Sequence, residues 1–308
     1  MTNDIKIALP TSPSHTFSSP AKLNLFLHIV GQRADGYHEL ETLFQFLNYG
    51  DTITIQVTQE AEIRLLTPIE GVNNNDNLLV KAAKLLQNNI PKNLGEINNN
   101  KNLTLGANIS INKILPMGGG LGGGSSNAAT ILLALNTLWQ LNLPLTTLAK
   151  LGLSLGADVP IFIHGFAAFA QGIGEQLTPV TPKEHWYLIS KPDCSISTRD
   201  VFSAKNLTRN TKKMSVKAIN IEQCHNDCQS LVIKQYPKVA KLLSWLLEYA
   251  PSRMTGTGAC VFTTFSTKKE AIIVQKNLPK GIESFVAKGI NQSPLAAEIL
   301  ELEQTLKF

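Results

Sequence analysis

The sequence predicts an α+β fold built in two parts. Strands with alternating apolar residues, such as 21–29 and 52–57, are mixed with helices that are apolar on one side. The strict alternation of strands and helices that a doubly wound parallel sheet needs is missing. The length of 308 residues suits one large domain or two ordinary ones. Because turn formers and two prolines cluster in 171–182, we expect an N-terminal domain over residues 1–178 and a C-terminal domain over residues 179–308.

The first half begins with residues 1–16, which have no hydrophobic period and are interpreted as a loose leader. From Ala21 to Ile29 apolar residues alternate with others, which predicts a half-buried strand with Lys22 and Asn24 together on its non-core face. The other elements expected here are a strand at 52–57, a helix at 77–88 capped by Asp76, an exposed Asn-rich loop at 88–102, a strand at 108–113, helices at 126–139 and 148–155, and a strand at 159–164.

The second half shows fewer but clear signals. They predict a strand at 186–190, a helix at 230–249, a strand at 261–265, a helix at 268–277 and a strand at 284–287. The last three form a βαβ-like end.

Charge and hydropathy narrow the class of protein. The 28 Lys and Arg residues against 23 Asp and Glu residues give a net charge of +5, and much of the excess lies in 203–241. Such a stretch is usually a solvated helix face, and no uninterrupted basic run or aromatic interleaving points to nucleic acid. The longest apolar stretch, 159–170, is too short to cross a bilayer. We expect a soluble protein that binds neither membrane nor nucleic acid.

Four cysteines in 308 residues are too few and too scattered for a secreted disulfide framework. The run from Cys224 to Cys228 resembles a metal site, but no further ligands follow at recognisable spacing. The cysteine usage predicts a reducing compartment, the cytoplasm. No metal ligand is assigned.

The most informative feature is a glycine cluster, with six glycines in the seven positions 118–124, between a strand and a strong helix. Glycine adds nothing to a core and costs backbone entropy, so we expect the backbone here to approach a ligand closely. Backbone N–H groups and a helix N-terminus together favour a polyphosphate. Ser125 or Ser126 is expected to cap the helix, with one hydroxyl near a phosphate or its Mg²⁺. The Walker A lysine and the dinucleotide-binding fingerprint are both missing.

Two further segments are ambiguous on their own. Asp158, in Gly156-Ala157-Asp158-Val159-Pro160, is either a turn former or a general base at a helix-to-strand turn. The segment 255–260, Thr-Gly-Thr-Gly-Ala-Cys, is by itself best interpreted as a β-turn.

Three segments together resemble the motifs of the galactokinase, homoserine, mevalonate and phosphomevalonate (GHMP) kinase superfamily. They are Pro20-Ala21-Lys22-Leu23-Asn24, the Pro-x-x-x-Gly-Leu-Gly-Gly-Gly-Ser-Ser loop and Thr-Gly-Thr-Gly-Ala-Cys. The resemblance runs from about residue 19 to residue 294. It implies an N-terminal half shared with a ribosomal protein domain and a ferredoxin-like C-terminal half. The leader and the Asn-rich loop depart from the pattern, and Asn127 stands where many relatives carry Asp.

The resemblance implies an ATP-dependent kinase for the tertiary 2-hydroxyl of a CDP-alcohol, 4-diphosphocytidyl-2-C-methyl-D-erythritol, on a route to isoprenoid precursors. ATP and Mg²⁺ would be required, and a homodimer is one of the states considered. Lys22 and Asp158 match the catalytic pair, Asn24 matches a contact to the erythritol, and Tyr37, His38 and Phe202 match residues that hold cytosine. The ATP-binding residues implied are Pro116, Met117, Gly118, Gly119, Gly120, Leu121, Gly122, Gly123, Gly124, Ser125 and Ser126.

Two alternatives remain open at this point. Another kinase of the superfamily would act on homoserine or mevalonate, against which the Tyr37-His38 segment and Phe202 argue. A non-catalytic nucleotide- or RNA-binding protein would share the N-terminal fold, but the presence of Lys22, Asp158 and the full glycine loop disfavours it.

Overall fold

The computed structural model describes residues 13–90 and 105–306. Most of the leader, and the Asn-rich loop from residue 91 onward, lie outside these ranges. Residues 14–16, which were expected to be loose, belong to the first strand.

Ten strands are present in the described residues. They are β1 (Ser14–Gln32), β2 (His38–Thr58), β3 (Ile63–Leu65), β4 (Gly106–Asn112), β5 (Ala168–Gln171), β6 (Gln176–Pro179), β7 (Trp186–Lys191), β8 (Ser252–Met254), β9 (Val261–Phe265) and β10 (Glu283–Ile290). The α-helices are α1 (Leu78–Asn88), α2 (Gly123–Leu138), α3 (Leu145–Leu155), α4 (Val159–His164), α5 (Thr198–Ser203), α6 (Gln229–Gln235), α7 (Pro237–Leu247), α8 (Lys268–Lys276) and α9 (Pro294–Leu306). The α+β prediction is confirmed.

The strands of the two halves are joined in one sheet, in the order β3-β4-β2-β10-β7-β9-β8, with β1 and β5 also paired to β2. β2 and β10 meet in a short antiparallel pairing, Leu47 with Gly289 and Phe46 with Ile290. Because β9 and β10 are both antiparallel to β7, they are parallel to each other, and β9-α8-β10 is a split βαβ unit.

The alternating pattern predicted that β1 would be half-buried, and this prediction was wrong. Every residue from Ser19 to Ile29 is buried. One side of the strand faces α2 and α9, and the other packs Leu23 and Phe26 into a cluster with Ile189 and Phe262 of the second half. An alternating pattern reports local polarity and does not show that distant residues such as Thr42 and Asp158 bury the polar side chains Asn24 and Lys22.

Residues 159–164 form a helix where the sequence predicted a strand. A short apolar run does not distinguish a buried strand from a buried helix. Pro160 fits the first turn of a helix, and Gly165, with φ of 70°, ends it.

Two other predicted boundaries were wrong. The expected helix at 230–249 is two helices, α6 and α7, because Pro237 lacks the N–H that would continue the first. Helix α1 is capped by Asn77, whose side chain accepts from the Leu79 N–H, and not by Asp76, which pairs with Lys81.

The last helix, α9, packs on the first half of the chain. Leu295, Ile299 and Leu302 belong to the same apolar cluster as β1, β2, α2 and α4, and Glu298 accepts from the Ser18 N–H at 2.7 Å. The domain boundary at residues 178 and 179 stays a prediction, and residues beyond it contribute to the core before it. In the part of the chain that the structure describes, no helix has the length and apolar character needed to span a membrane.

Candidate active site

The glycine loop leads from β4 into α2 and shapes the start of that helix. Gly118, Gly120 and Gly122 have φ values of 65°, 76° and 72°, which residues with a side chain rarely adopt. Gly122 is the N-cap of α2, and no side chain caps the helix. The expectation that Ser125 or Ser126 would cap it was wrong, because the helix begins earlier, at Gly123. Its first N–H groups are therefore free of a side-chain cap and can receive an anion.

The segment 255–260 is more than the β-turn that its sequence favoured. Its backbone donates from Ala259 to the Gly118 carbonyl at 3.3 Å and from Cys260 to the Gly119 carbonyl at 3.2 Å. A Cβ at Gly119 would lie 2.5 Å from the Cys260 sulfur, and one at Gly120 would lie 2.3 Å from the Thr255 carbonyl. At these two positions glycine is required by contact with the turn, which phosphate binding alone did not predict.

Lys22 and Asp158 lie in contact, as the motif resemblance implied. Lys22 Nζ is 3.1 Å from Asp158 Oδ2 and donates to Asn24 Oδ1 at 2.5 Å. The ammonium also lies 5.1 Å from the centre of the Phe44 ring. The Lys22 side chain is 3% exposed and that of Asp158 is 34% exposed. A buried cation therefore faces a carboxylate that is open to solvent.

A cavity of about 570 Å³ lies on one side of this pair. All four residues for which a substrate-binding role was predicted line it, namely Asn24, Tyr37, His38 and Phe202. His38 and Phe202 are stacked, with ring centres 5.1 Å apart, and Tyr37 is 60% exposed. Aromatic faces and polar groups are thus brought to one cleft that ends at Asp158.

A second cavity, of about 400 Å³, lies on the other side of Asp158. Of the residues predicted to bind ATP, 116–125 line it. Ser126 does not, because it is buried and its hydroxyl accepts from Ser19. Both cavities include Gly120, Ser125, Asp158 and Thr198. The carboxylate of Asp158 therefore stands where the two cavities meet.

Sequence reasoning missed three residues of this site. Lys113 lines the second cavity and is held by Asp51, 2.6 Å away. Asn77 also lines it, and its buried Nδ2 has no hydrogen-bond partner among the described residues. Arg209 Nε donates to His38 Nε2 at 2.9 Å. A lysine shortly before the glycine cluster could have been noticed in the sequence. Asn77 and Arg209 come to the site through contacts between residues far apart in the chain, which leave no local pattern.

The run Cys224–Cys228 has a structural role in the described residues. Asp227 accepts from the Ile29 N–H at 2.6 Å and contacts His225 at 2.8 Å, which ties this segment to β1. Cys228 is fully buried, and burial raises the pKa of its thiol to about 12. No group of three or more His, Cys, Asp or Glu side chains suited to a metal occurs within residues 13–90 and 105–306.

Comparison with known proteins identifies related chains. The model of the GHMP kinase N-terminal domain matches residues 77–166, and that of the GHMP kinase C-terminal domain matches residues 203–283. The chain is 65% identical over 291 residues, 93% of each chain, to the 4-diphosphocytidyl-2-C-methyl-D-erythritol kinase of Colwellia psychrerythraea strain 34H.

Solved structures are also similar to this chain. A crystal structure of 4-(cytidine 5'-diphospho)-2C-methyl-D-erythritol kinase is 27% identical, with a TM-score of 0.75 over 89% of this chain and 99% of that one. Mevalonate kinase of Methanococcus jannaschii is 17% identical, with a TM-score of 0.62 over 91% of this chain and 99% of that one, and shares the fold. With matches to both family models and a relative of this identity, the chain belongs to the GHMP kinase family.

Proposed function

We propose that this kinase transfers the γ-phosphoryl group of ATP to the 2-hydroxyl of 4-diphosphocytidyl-2-C-methyl-D-erythritol, a step toward isoprenoid precursors. The observation that carries the proposal is the meeting of two cavities at Asp158. One cavity has the features of a polyphosphate site and the other those of a site for a base with a polar tail. The relative at 65% identity bears the name of this activity.

The second cavity suits ATP. The uncapped N-terminus of α2 and the loop 116–122 supply N–H groups for the phosphates, and the Lys113 ammonium adds a positive charge. Ile69, Val72 and Leu78 provide an apolar wall for the purine, and the unpartnered Nδ2 of Asn77 can donate to its edge. Base, triphosphate and transfer point then lie in sequence along one cavity.

Mg²⁺ fits this site as a companion of the phosphates. It is commonly held by one or two protein oxygens together with substrate phosphates and water. The Ser125 hydroxyl, which lines both cavities, is the oxygen we assign to it. When bound, the ion would neutralise phosphate charge.

The first cavity suits the CDP-alcohol. Tyr37 and Phe202 offer ring faces to cytosine, and His38 offers a polar edge. Asn24 lies next to Lys22, deeper in the cavity, where the erythritol would reach. The hydroxyl acceptor would then lie beside Asp158.

Phosphoryl transfer depends mainly on positioning and on charge neutralisation. In the proposed mechanism Asp158 accepts the proton of the attacking hydroxyl or orients it, and Lys22 stabilises the negative charge on the developing alkoxide or the transferring group. The Lys22 ammonium is held by Asn24, Asp158 and the Gly120 carbonyl, so its position is fixed before substrate binds. A preformed charge of this kind costs little reorganisation during the reaction.

A substrate panel tests the proposal. The kcat/KM of the purified enzyme with ATP is measured for 4-diphosphocytidyl-2-C-methyl-D-erythritol, homoserine and mevalonate. We expect turnover with the CDP-alcohol to exceed that with the other two by orders of magnitude. Preferred turnover of homoserine or mevalonate would replace the substrate class. Nucleotide binding without turnover of any of the three would favour the non-catalytic alternative.

The proposal also includes the cellular compartment of the enzyme and its oligomeric state. All four cysteines are unpaired, which is consistent with the cytoplasm. The homodimer stays a prediction, which sedimentation of the purified protein would test.

A further inference from the structure

Arg209 connects two of the three residues that we assign to cytosine, His38 and Phe202. Its Nε donates to His38 Nε2 at 2.9 Å. Its terminal nitrogens donate to the backbone carbonyls of Phe202 at 3.0 Å, Ala204 at 2.8 Å and Leu207 at 3.1 Å. One guanidinium therefore fixes the imidazole of His38 and the segment that carries the Phe202 ring.

This contact determines which nitrogen of His38 carries the proton. An arginine is always protonated in proteins and can only donate. Since Arg209 donates to Nε2, that nitrogen must be the unprotonated one, and in the neutral ring the proton is on Nδ1. Burial, and secondly the charge of Arg209, lower the pKa of His38, so the ring stays neutral at physiological pH.

His38 therefore presents one fixed donor. No described residue accepts a hydrogen bond from Nδ1, and the His38 side chain lines the first cavity. A donor at this point pairs with the unprotonated N3 of cytosine. Uracil carries a proton on N3, so two donors would face each other and both would lose their partners.

We propose that Arg209 selects cytosine over uracil by holding His38 as the tautomer protonated on Nδ1. Arg209 is a positioning residue and does not contact the base. This inference rests on the function proposed above, because it presumes that a pyrimidine nucleotide occupies the first cavity. Without Arg209 the imidazole can exchange tautomers, and Nδ1 can then accept from the N3 proton of uracil.

The test compares the CDP-alcohol with its UDP analogue in the wild type, in Arg209→Lys and in Arg209→Met. Burying an unpaired donor typically weakens binding by about 5- to 150-fold, so we expect the wild type to prefer the CDP-alcohol in KM by about that factor. Arg209→Met should reduce the ratio toward one. Arg209→Lys, whose ammonium can also only donate to Nε2, should keep more of the wild-type ratio, and the KM for ATP should be unchanged in both variants. Arg64→Gln, at an arginine paired with Glu60 and Glu62 away from the cavity, is the matched control and should keep the wild-type ratio.

A measurement on the wild type covers the case in which the two Arg209 variants fold poorly. The ¹⁵N spectrum of the imidazoles, with His38 assigned by the signal lost in His38→Gln, should show a protonated Nδ1 and an unprotonated Nε2. A protonated Nε2 would overturn the proposal. So would variants that weaken both nucleotides equally, because that is the effect of a purely structural role. If the wild type uses neither nucleotide, the proposed function itself fails, and the ¹⁵N result still decides the tautomer.

Discussion

The buried ammonium of Lys22 lies 3.1 Å from the carboxylate of Asp158, at the junction of the two cavities of this kinase. Lys22 comes from the long first strand, and Asp158 from the turn between α3 and α4. Their contact brings a fixed positive charge and an accessible carboxylate to one point. In the proposed mechanism the phosphoryl donor reaches that point from one cavity and the hydroxyl acceptor from the other.

Asp158→Asn should lower kcat by about 10²- to 10⁴-fold, since a positioned general base contributes about that much. The dissociation constant of ATP should change little, because the glycine loop and Asn77 remain in place. Rapid-quench kinetics and calorimetry check the two quantities. Asp193→Asn, at an exposed carboxylate paired with Lys238, is the control. A variant that kept more than half of the wild-type kcat would remove Asp158 from the mechanism.

Asn77→Ser separates helix capping from recognition of ATP. Serine caps a helix about as well as asparagine, so the melting temperature should change little. The donor Nδ2 is lost, and the KM for ATP should rise by about 2- to 10-fold, the usual effect of one neutral hydrogen bond. Asn89→Ser, at the other end of the same helix, should leave this KM unchanged. An unaltered KM in Asn77→Ser would place the purine elsewhere.

Tyr37→Ala and Phe202→Ala test the cytidine assignment. Stacking of a base on an aromatic side chain contributes roughly 1–3 kcal/mol, so each variant should weaken binding of the CDP-alcohol by about 5- to 150-fold. ATP affinity should stay constant. Because Tyr37 is 60% exposed, its loss should also leave the melting temperature nearly unchanged.

Tyr249→Ala, at another exposed tyrosine, is the control for these two variants. A drop in stability with equal loss of both ligands would indicate a structural role. Unchanged binding of the CDP-alcohol in both variants would reopen the homoserine or mevalonate interpretation.

Local sequence patterns predicted the elements whose structure depends mainly on residues nearby in the chain. Alternation identified β1 and put Lys22 and Asn24 on one face, and the glycine cluster marked the start of α2. Burial of that same face could not be predicted, because the residues that contact Lys22 and Asn24 there, Thr42, Gly120 and Asp158, lie far from them in the sequence. The helix at 159–164 was missed since burial on all sides leaves no period to detect.

The residues of the candidate site likewise divide into those that local motifs marked and those that only long-range contacts bring there. Lys22, Asp158 and the glycine loop were identified through motifs, and their proximity needed the fold. Asn77 was not proposed for the site because it was expected only to begin a helix capped by Asp76, and no local pattern marked it as a ligand contact. Arg209 lay in a basic stretch that favoured a solvated helix face. Its contact with His38 joins the C-terminal half to the start of β2, and a contact over such a separation leaves no local pattern.

The most direct test of the central claim is the ³¹P spectrum of the product formed from ATP and 4-diphosphocytidyl-2-C-methyl-D-erythritol. Transfer to the 2-hydroxyl predicts one new phosphomonoester resonance, equimolar with ADP, while the diphosphate of the CDP group stays intact. Asp158→Asn should form this resonance at least about 100 times more slowly. ADP formed without a phosphomonoester, or cleavage of the CDP diphosphate, would contradict the account.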